Sequence, residues 1–215
     1  MATRYRAQFI NSISGFKSAS LVGTCSHEGY DNLAIFSSVI HLGSNPALIG
    51  FISRPDTVER HTLSNIKQTK QFTINQVSEG FWESAHQTSA RYSEAESEFL
   101  ETGLTPQHVD NINVPFVLES QLKYALTLKE IIPISYNNTL LVVGEVTDIL
   151  CNEDALKADG YIDLEALRTV AITGLDSYHS TQRLSRLKYA KPDFQPVRIG
   201  LDGKVVGGGN RKEVT

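Results

Sequence analysis

A mainly β protein is predicted here, with short peripheral helices and strands that close into an antiparallel barrel. Three observations predict it. At least six runs with strand character are spread along the 215 residues. The first three lie so close together that no crossover helix fits between them, which leaves antiparallel pairing. Helical spacing is confined to a few short stretches. Closure would remove the exposed sheet edges that invite aggregation. A two-sheet sandwich satisfies the same periodicity and stands as the alternative.

The elements follow in order. Lys17 to Ser26 and Asn32 to Leu42 are rich in Val, Ile, Ser and Phe, and the short Gly-containing spacer His27 to Asp31 makes them a hairpin. Ala47 to Ile52 is continuously apolar, as a buried strand would be, and Arg54-Pro55 ends the run. Thr62 to Lys70 is a short helix with Leu63 and Ile66 on one face. Phe72 to Val77 alternates and is a fourth strand, whereas Trp82 to Tyr92 is polar and gives no clear pattern. Ser93 and Glu96 have capping-box spacing, predicting a helix over Glu94 to Thr102 that Gly103 stops. From Leu122 to Lys129 one face is apolar and the other, with Lys123, is wetter. Thr139 to Leu150 is a long strand entered through an Asn137-Asn138 turn, Asp163 to Arg168 is a helical turn, and Gly207 to Thr215 is a loose tail.

Composition narrows the function. Twenty Lys and Arg against 24 Asp and Glu leave a net charge of −4, so no basic excess is present to neutralise nucleic acid. Cys25 and Cys151 are too few for a disulfide scaffold or a cysteine zinc site, and two free, buried thiols in a reducing compartment are expected. The first ten residues lack the apolar core of a signal peptide, and no run approaches a membrane span. A cytoplasmic protein with no membrane partner is the expectation. The six histidines show no HxH or HExxH spacing, so no metal site is expected.

Three segments carry candidate chemistry. Arg60, His61 and Thr62 open the helix after the third strand. Unpaired N–H groups of that helix end, with Arg54 and Arg60, would hold a terminal phosphate; equally, Thr62 only caps the helix and the arginines are solvated. Asn32, Ser37 and Ser38 could line a flat heterocycle, or the hydroxyls could simply bond to neighbouring backbone. Gly174 to His179 could bring Tyr178 to a ligand, or be an ordinary loop. Ser64 to Lys67 fits SxxK, but SDN and KTG companions are missing. Asn137 to Thr139 is a glycosylation triplet without a secretory route, Gly207 to Gly209 lacks a phosphate-loop lysine, and Glu94, Glu96, Glu98 and Glu101 read as a solvated helix face.

Taken in order, these stretches resemble the flavin reductase-like family, whose fold is the FMN-binding split barrel. The series runs from Asn32-Leu-Ala-Ile-Phe-Ser37, Asn45-Pro46 and Arg54-Pro55 to Arg60-His-Thr-Leu-Ser-Asn65-Ile66 and Gln71-Phe-Thr-Ile-Asn75. It continues through Thr88-Ser-Ala90, Ser97-Glu-Phe99, Gly103-Leu-Thr105, Pro115 and Glu119-Ser120 to Gly174-Leu-Asp-Ser-Tyr178 and Tyr189-Ala-Lys-Pro192. The resemblance implies a closed antiparallel split β-barrel domain over residues 1–192 with a partly flexible C-terminal extension, 193–215. It further implies a homodimer that binds FMN without a covalent link, takes hydride from NADH or NADPH, and passes reduced flavin or electrons to an oxygenase or another acceptor protein. Asn32, Ser37 and Ser38 match the strand beside the ring and ribityl chain; Arg54, Arg60 and Thr62 match the phosphate end. Ser89 matches a closing loop, and Tyr178 an aromatic near the ring. The flavin N5 carries the chemistry, so no catalytic side chain is named. A flavin-binding electron carrier without a nicotinamide site is the alternative. His61 stands where the family commonly has an acidic residue.

Overall fold

The computed structural model describes residues 1–55, 61–93 and 96–206. It opens with a helix that the strand-dominated pattern did not predict, α1 (Thr3–Ile13), none of whose residues is buried. The chain then runs through β1 (Lys17–Ser18), β2 (Ser20–Cys25), β3 (Asp31–Phe36), β4 (Ile40–Ser44), β5 (Ala47–Ser53), α2 (His61–Thr69) and β6 (Gln71–Gln76). Next come α3 (Trp82–Gln87), α4 (Glu98–Thr102), β7 (Pro106–Val109), β8 (Ile112–Val117), β9 (Leu122–Ile134) and β10 (Thr139–Cys151). The last described elements are β11 (Val170–Thr173), β12 (Ser177–Ser180), β13 (Arg186–Leu187) and β14 (Arg198–Ile199).

Seven strands form one antiparallel sheet in the order β3-β2-β6-β9-β10-β5-β4. The single strand predicted over Asn32 to Leu42 is two, and they are the two outermost strands of that sheet. Phe36 turns its ring onto Phe51, with centroids 4.7 Å apart. Two residues later Ser38 Oγ accepts from Ile52 N at 3.1 Å and donates to Ile52 O at 3.2 Å, standing in for a ladder partner of β5. The ends of the sheet therefore approach through side chains. Among the described residues no backbone ladder joins β3 to β4, so the predicted closed barrel is not seen as a continuous ring of hydrogen bonds.

Lys17 to Ser26 is also two strands. Lys17 pairs with Ile172 in a small sheet β1-β11-β12, whereas β2 sits between β3 and β6 in the large one. The break at Ala19 lets its carbonyl accept from Val77 N.

Two apolar clusters explain the arrangement. Val22, Phe51, Phe72, Ile74 and Val142 pack against Leu63 and Ile66 of α2. On the other side Leu21, Leu33 and Val77 pack against Phe81, Ala85, Phe99, Val117 and Ile172. Strands β2 and β6 are thus covered on both faces, which local alternation does not reveal. Thr73 and Asn75 hold the crossing strand β8: Thr73 Oγ1 donates to Pro115 O at 2.6 Å, and Asn75 Oδ1 accepts from Val117 N at 2.8 Å. Lys123, predicted on the wetter face, is buried for the same reason; its Nζ donates to the carbonyls of Val117 and Leu118 at 2.8 and 3.2 Å. Burial lowers its pKa, partly offset by Glu119.

Other boundaries moved by a few residues. The helix predicted from Glu94 begins at Glu98, because the Ser93–Glu96 pair is spent on a bend, Ser93 N donating to Glu96 Oε2 at 2.8 Å. Gly103 ends it in the left-handed region, φ 72°, as predicted. Cys25 and Cys151 are free but only partly buried, short of the full burial expected. The tail Gly207 to Thr215 lies outside the described residues.

Candidate functional site

The start of β3, the first turn of α2 and the segment leading into α4 meet at one corner. The hairpin register sets Asn32 opposite Thr24 on β2. There Asn32 Nδ2 donates to Thr24 Oγ1 at 3.0 Å and to Thr62 Oγ1 at 3.1 Å, and Asn65 Nδ2 donates to Thr24 Oγ1 at 3.2 Å. All four side chains are buried. Buried polar groups must be satisfied, and this network docks the N-terminal end of α2 against the sheet. Thr62 is the second residue of α2, so it does not cap; Arg60 lies outside the described residues.

Glu98 completes the corner and corrects the solvated-face reading, since only 7% of it is exposed. Its Oε2 accepts from Leu33 N at 3.0 Å. Burial raises its pKa, against smaller lowering contributions from that bond and from His61. A carboxyl with a raised folded pKa binds its proton more tightly folded than unfolded. Stability therefore falls as pH climbs from the ordinary value, about 4.3, through the raised one. Glu98→Gln keeps an acceptor for Leu33 N and removes the charge. Urea midpoints across that range are expected to show a flatter pH dependence in the variant, which is at least as stable as wild type above the window. Superimposable pH profiles would show that the carboxylate carries no such penalty.

The other predicted residues fall as follows. Ser37 is half-buried at the bend after β3, and Ser38 has both its bonds to Ile52. Arg54 is exposed just beyond β5. Ser89 is exposed after α3, its N donating to His86 O at 3.0 Å. Tyr178, on β12, is half-buried; its hydroxyl is hydrogen-bonded to His86 Nδ1 at 3.0 Å, and Trp82 lies 5.1 Å away between ring centroids. Burial, and then Asp176, push its phenol up to about 12.

Two groups result: Asn32 with Thr62, and Ser89 with Tyr178 through His86. Strand β3 links them, because Ile35 and Tyr178 pack on the same apolar cluster. Thr24, His86 and Trp82 have no spacing motif in the sequence and act only through tertiary contact, whereas Glu98 was legible as part of a motif stretch but not as a buried group. Among the described residues no group of three or more His, Cys, Asp or Glu is placed to hold a metal ion.

What the corner offers an outside ligand is a helix end suited to an anionic group. A nine-residue helix presents its N-terminal end beside Asn32, where backbone N–H groups and the helix dipole favour a phosphate. The space enclosed between Asn32, His61 and Glu98 is about 10 Å³, room for one water and no ring system.

Residues 13–169 match the flavin reductase like domain family. A candidate flavin reductase with a split barrel domain from Shewanella frigidimarina is 53% identical and superposes with a TM-score of 0.85, covering 88% of this chain and 94% of that one. Nitrilotriacetate monooxygenase component B from Bacillus cereus, 22% identical, shares the fold at a TM-score of 0.78, covering 87% and 95%. An uncharacterised protein of Halalkalibacterium halodurans is 30% identical over 158 residues, 71% of this chain and 75% of that one. The protein thus belongs to the flavin reductase-like domain family, and its function is flavin-linked electron transfer.

Proposed function

We propose that the protein is an FMN-dependent oxidoreductase of the NAD(P)H:flavin reductase type, supplying reduced flavin or electrons to a partner acceptor. The observation that carries this reading is the corner where β3 meets the N-terminal end of α2 inside the family match. Bound FMN would accept hydride at its ring and supply the redox chemistry. The chain's own residues would bind and orient it. Arg54 and Arg60 would neutralise the phosphate beside the helix N-terminus, and the buried Asn32–Thr62–Thr24–Asn65 network would keep that helix end in place. Ser37 and Ser38 would border the ring along β3, with Ser89 and Tyr178 closing over it.

The finer architecture belongs to the same proposal. The sheet would close as a split barrel through the 37–39 bend, forming one domain over 1–192 with an extension over 193–215. The space enclosed at that corner admits no ring system, which supports a homodimer in which a second subunit covers the flavin. Names of fold neighbours, among them a monooxygenase component B, favour an oxygenase as acceptor. No helix among the described residues is long and apolar enough to cross a membrane, and cytoplasmic location is part of the proposal.

Purified protein is expected to be yellow and to release FMN by mass, and anaerobic NADH or NADPH should bleach it rapidly. A colourless protein that takes up no added FMN would overturn the reading. Bound flavin that stays oxidised with both nucleotides, yet accepts electrons from a protein donor, would favour an electron carrier, as the fold shared with flavoredoxin of Desulfovibrio vulgaris at a TM-score of 0.69 allows. Replacing Arg54 and Arg60 together by Ala should weaken FMN binding by about 3 kcal/mol or more, roughly a hundredfold, with the melting curve unchanged. Equal affinity in a fluorescence titration would place the phosphate elsewhere.

A further inference from the structure

Large apolar side chains are left in water most conspicuously near the C-terminus. Leu184 is 101% exposed, Tyr189 94%, Phe194 62% and Leu187 54%. This stretch forms a hairpin. Arg186 and Leu187 pair antiparallel with Ile199 and Arg198, and Lys188 N donates to Val197 O at 2.9 Å. Its root is clamped to the body. Arg183 pairs with Asp163 at 2.7 Å and Glu165 at 2.6 Å, and Arg186 pairs with Asp159 at 2.5 Å while lying 4.1 Å over the Tyr161 ring. A hairpin that leaves aromatic groups exposed among the described residues marks an interaction surface.

Charge indicates the partner. Residues 181–206 carry six Lys and Arg against two Asp, whereas residues 1–180 carry twelve against twenty-one Asp and Glu. Lys188, Lys191 and Arg198 are exposed and make no ion pair among the described residues. A basic arm on an acidic body is complementary to a second copy of itself, each arm meeting the other's body in a two-fold pair.

An apolar face is available to receive it. On the outer side of the sheet Leu42 and Leu141 meet over Gly50, and Leu141 stands opposite Ile132 on β9. Leu42 and Ile132 are 40% and 39% exposed. Within one chain this face lies ten residues, about 33 Å, along β9 from Leu122, the end near the arm's root, while half of the hairpin reaches about 20 Å.

We propose that the hairpin of residues 186–199 is a docking arm for a second copy of this chain, seating Tyr189 and Phe194 on the partner's Leu42–Leu141–Ile132 face with Lys188 and Lys191 toward its acidic surface. The inference rests on the homodimer reading above and names the element that holds the pair together.

The test is sedimentation equilibrium of the full chain beside two double variants, Tyr189→Ser with Phe194→Ser and Lys188→Glu with Lys191→Glu. All four positions are exposed, so circular dichroism and melting curves should match wild type. The expected result is a wild-type dimer, with a dissociation constant raised at least about tenfold in each variant, and in wild type by added salt. Unchanged dimerisation in both variants overturns the arm and leaves the homodimer standing. A monomeric wild-type protein overturns both.

Discussion

Gly23→Ala is expected to destabilise the protein by about 3–4 kcal/mol, the larger part from overpacking and about 1 kcal/mol from a lost hydrogen bond. A Cβ at Gly23 would stand 2.3 Å from Pro115 O and 2.5 Å from Thr73 Oγ1. Those two atoms are bonded to each other, and they fasten β8 across β2 and β6. The added methyl group has to push a backbone carbonyl, which no rotamer change can move aside. Chemical denaturation measures the loss, and for a chain of this size it corresponds to a melting point lower by about 10 °C. A loss under about 1 kcal/mol would mean that β8 can lift off the sheet at little cost.

Asn75→Leu should cost about as much, roughly 3 kcal/mol, chiefly through lost hydrogen bonds. Asn75 is fully buried and makes three bonds: Nδ2 donates to Leu21 O at 3.2 Å and to Thr73 Oγ1 at 3.0 Å, and Oδ1 accepts from Val117 N. Leucine keeps the branched shape with bulkier methyl groups and leaves the buried Val117 N–H without its acceptor, and an unmade buried bond costs more than a made one contributes. Asn75→Asp separates the causes. It restores the acceptor, loses both donated bonds and buries a charge, so it should be no better than leucine at neutral pH and recover toward acid as the carboxyl protonates. Equal unfolding midpoints for wild type and Asn75→Leu would show that β8 is held by packing alone.

Both sites show where local reading stops. The strand over Phe72 to Val77 was legible because Phe72 and Ile74 alternate with Thr73 and Asn75, yet the polar pair is not the wet face of a half-buried sheet. A second layer, brought by residues forty positions away, covers it. Lys123 follows the same logic: its ammonium is inside because two carbonyls of the β8 end wait there. Helix α1 escaped notice because it has no side-chain cap and no buried face, so neither of the usual helix signals is written in its residues.

The candidate site divides in the same way. Residues Asn32, Arg54, Arg60, Thr62 and Tyr178 were legible as an ordered series resembling one family, and the helix after β5 was legible from Leu63 and Ile66. That Thr62 is held inward by Asn32 was not, nor that Glu98 is buried against Leu33 N; both depend on which strand lies beside which.

By itself the sequence determined what depends on neighbours along the chain. These are the mainly β class, the positions of most strands, the Gly103 stop, the acidic balance that argues against nucleic acid, and the motif series of the family. Tertiary structure alone decided that one predicted strand bends at residues 37–39 to supply both outer strands of the sheet, that β2 and β6 are covered twice, and that a basic hairpin projects from an acidic body. The physical reason is the range of the interactions. Alternation and capping act over two to four residues, whereas burial, charge complementarity and the satisfaction of a buried amide are set by whatever the fold places opposite.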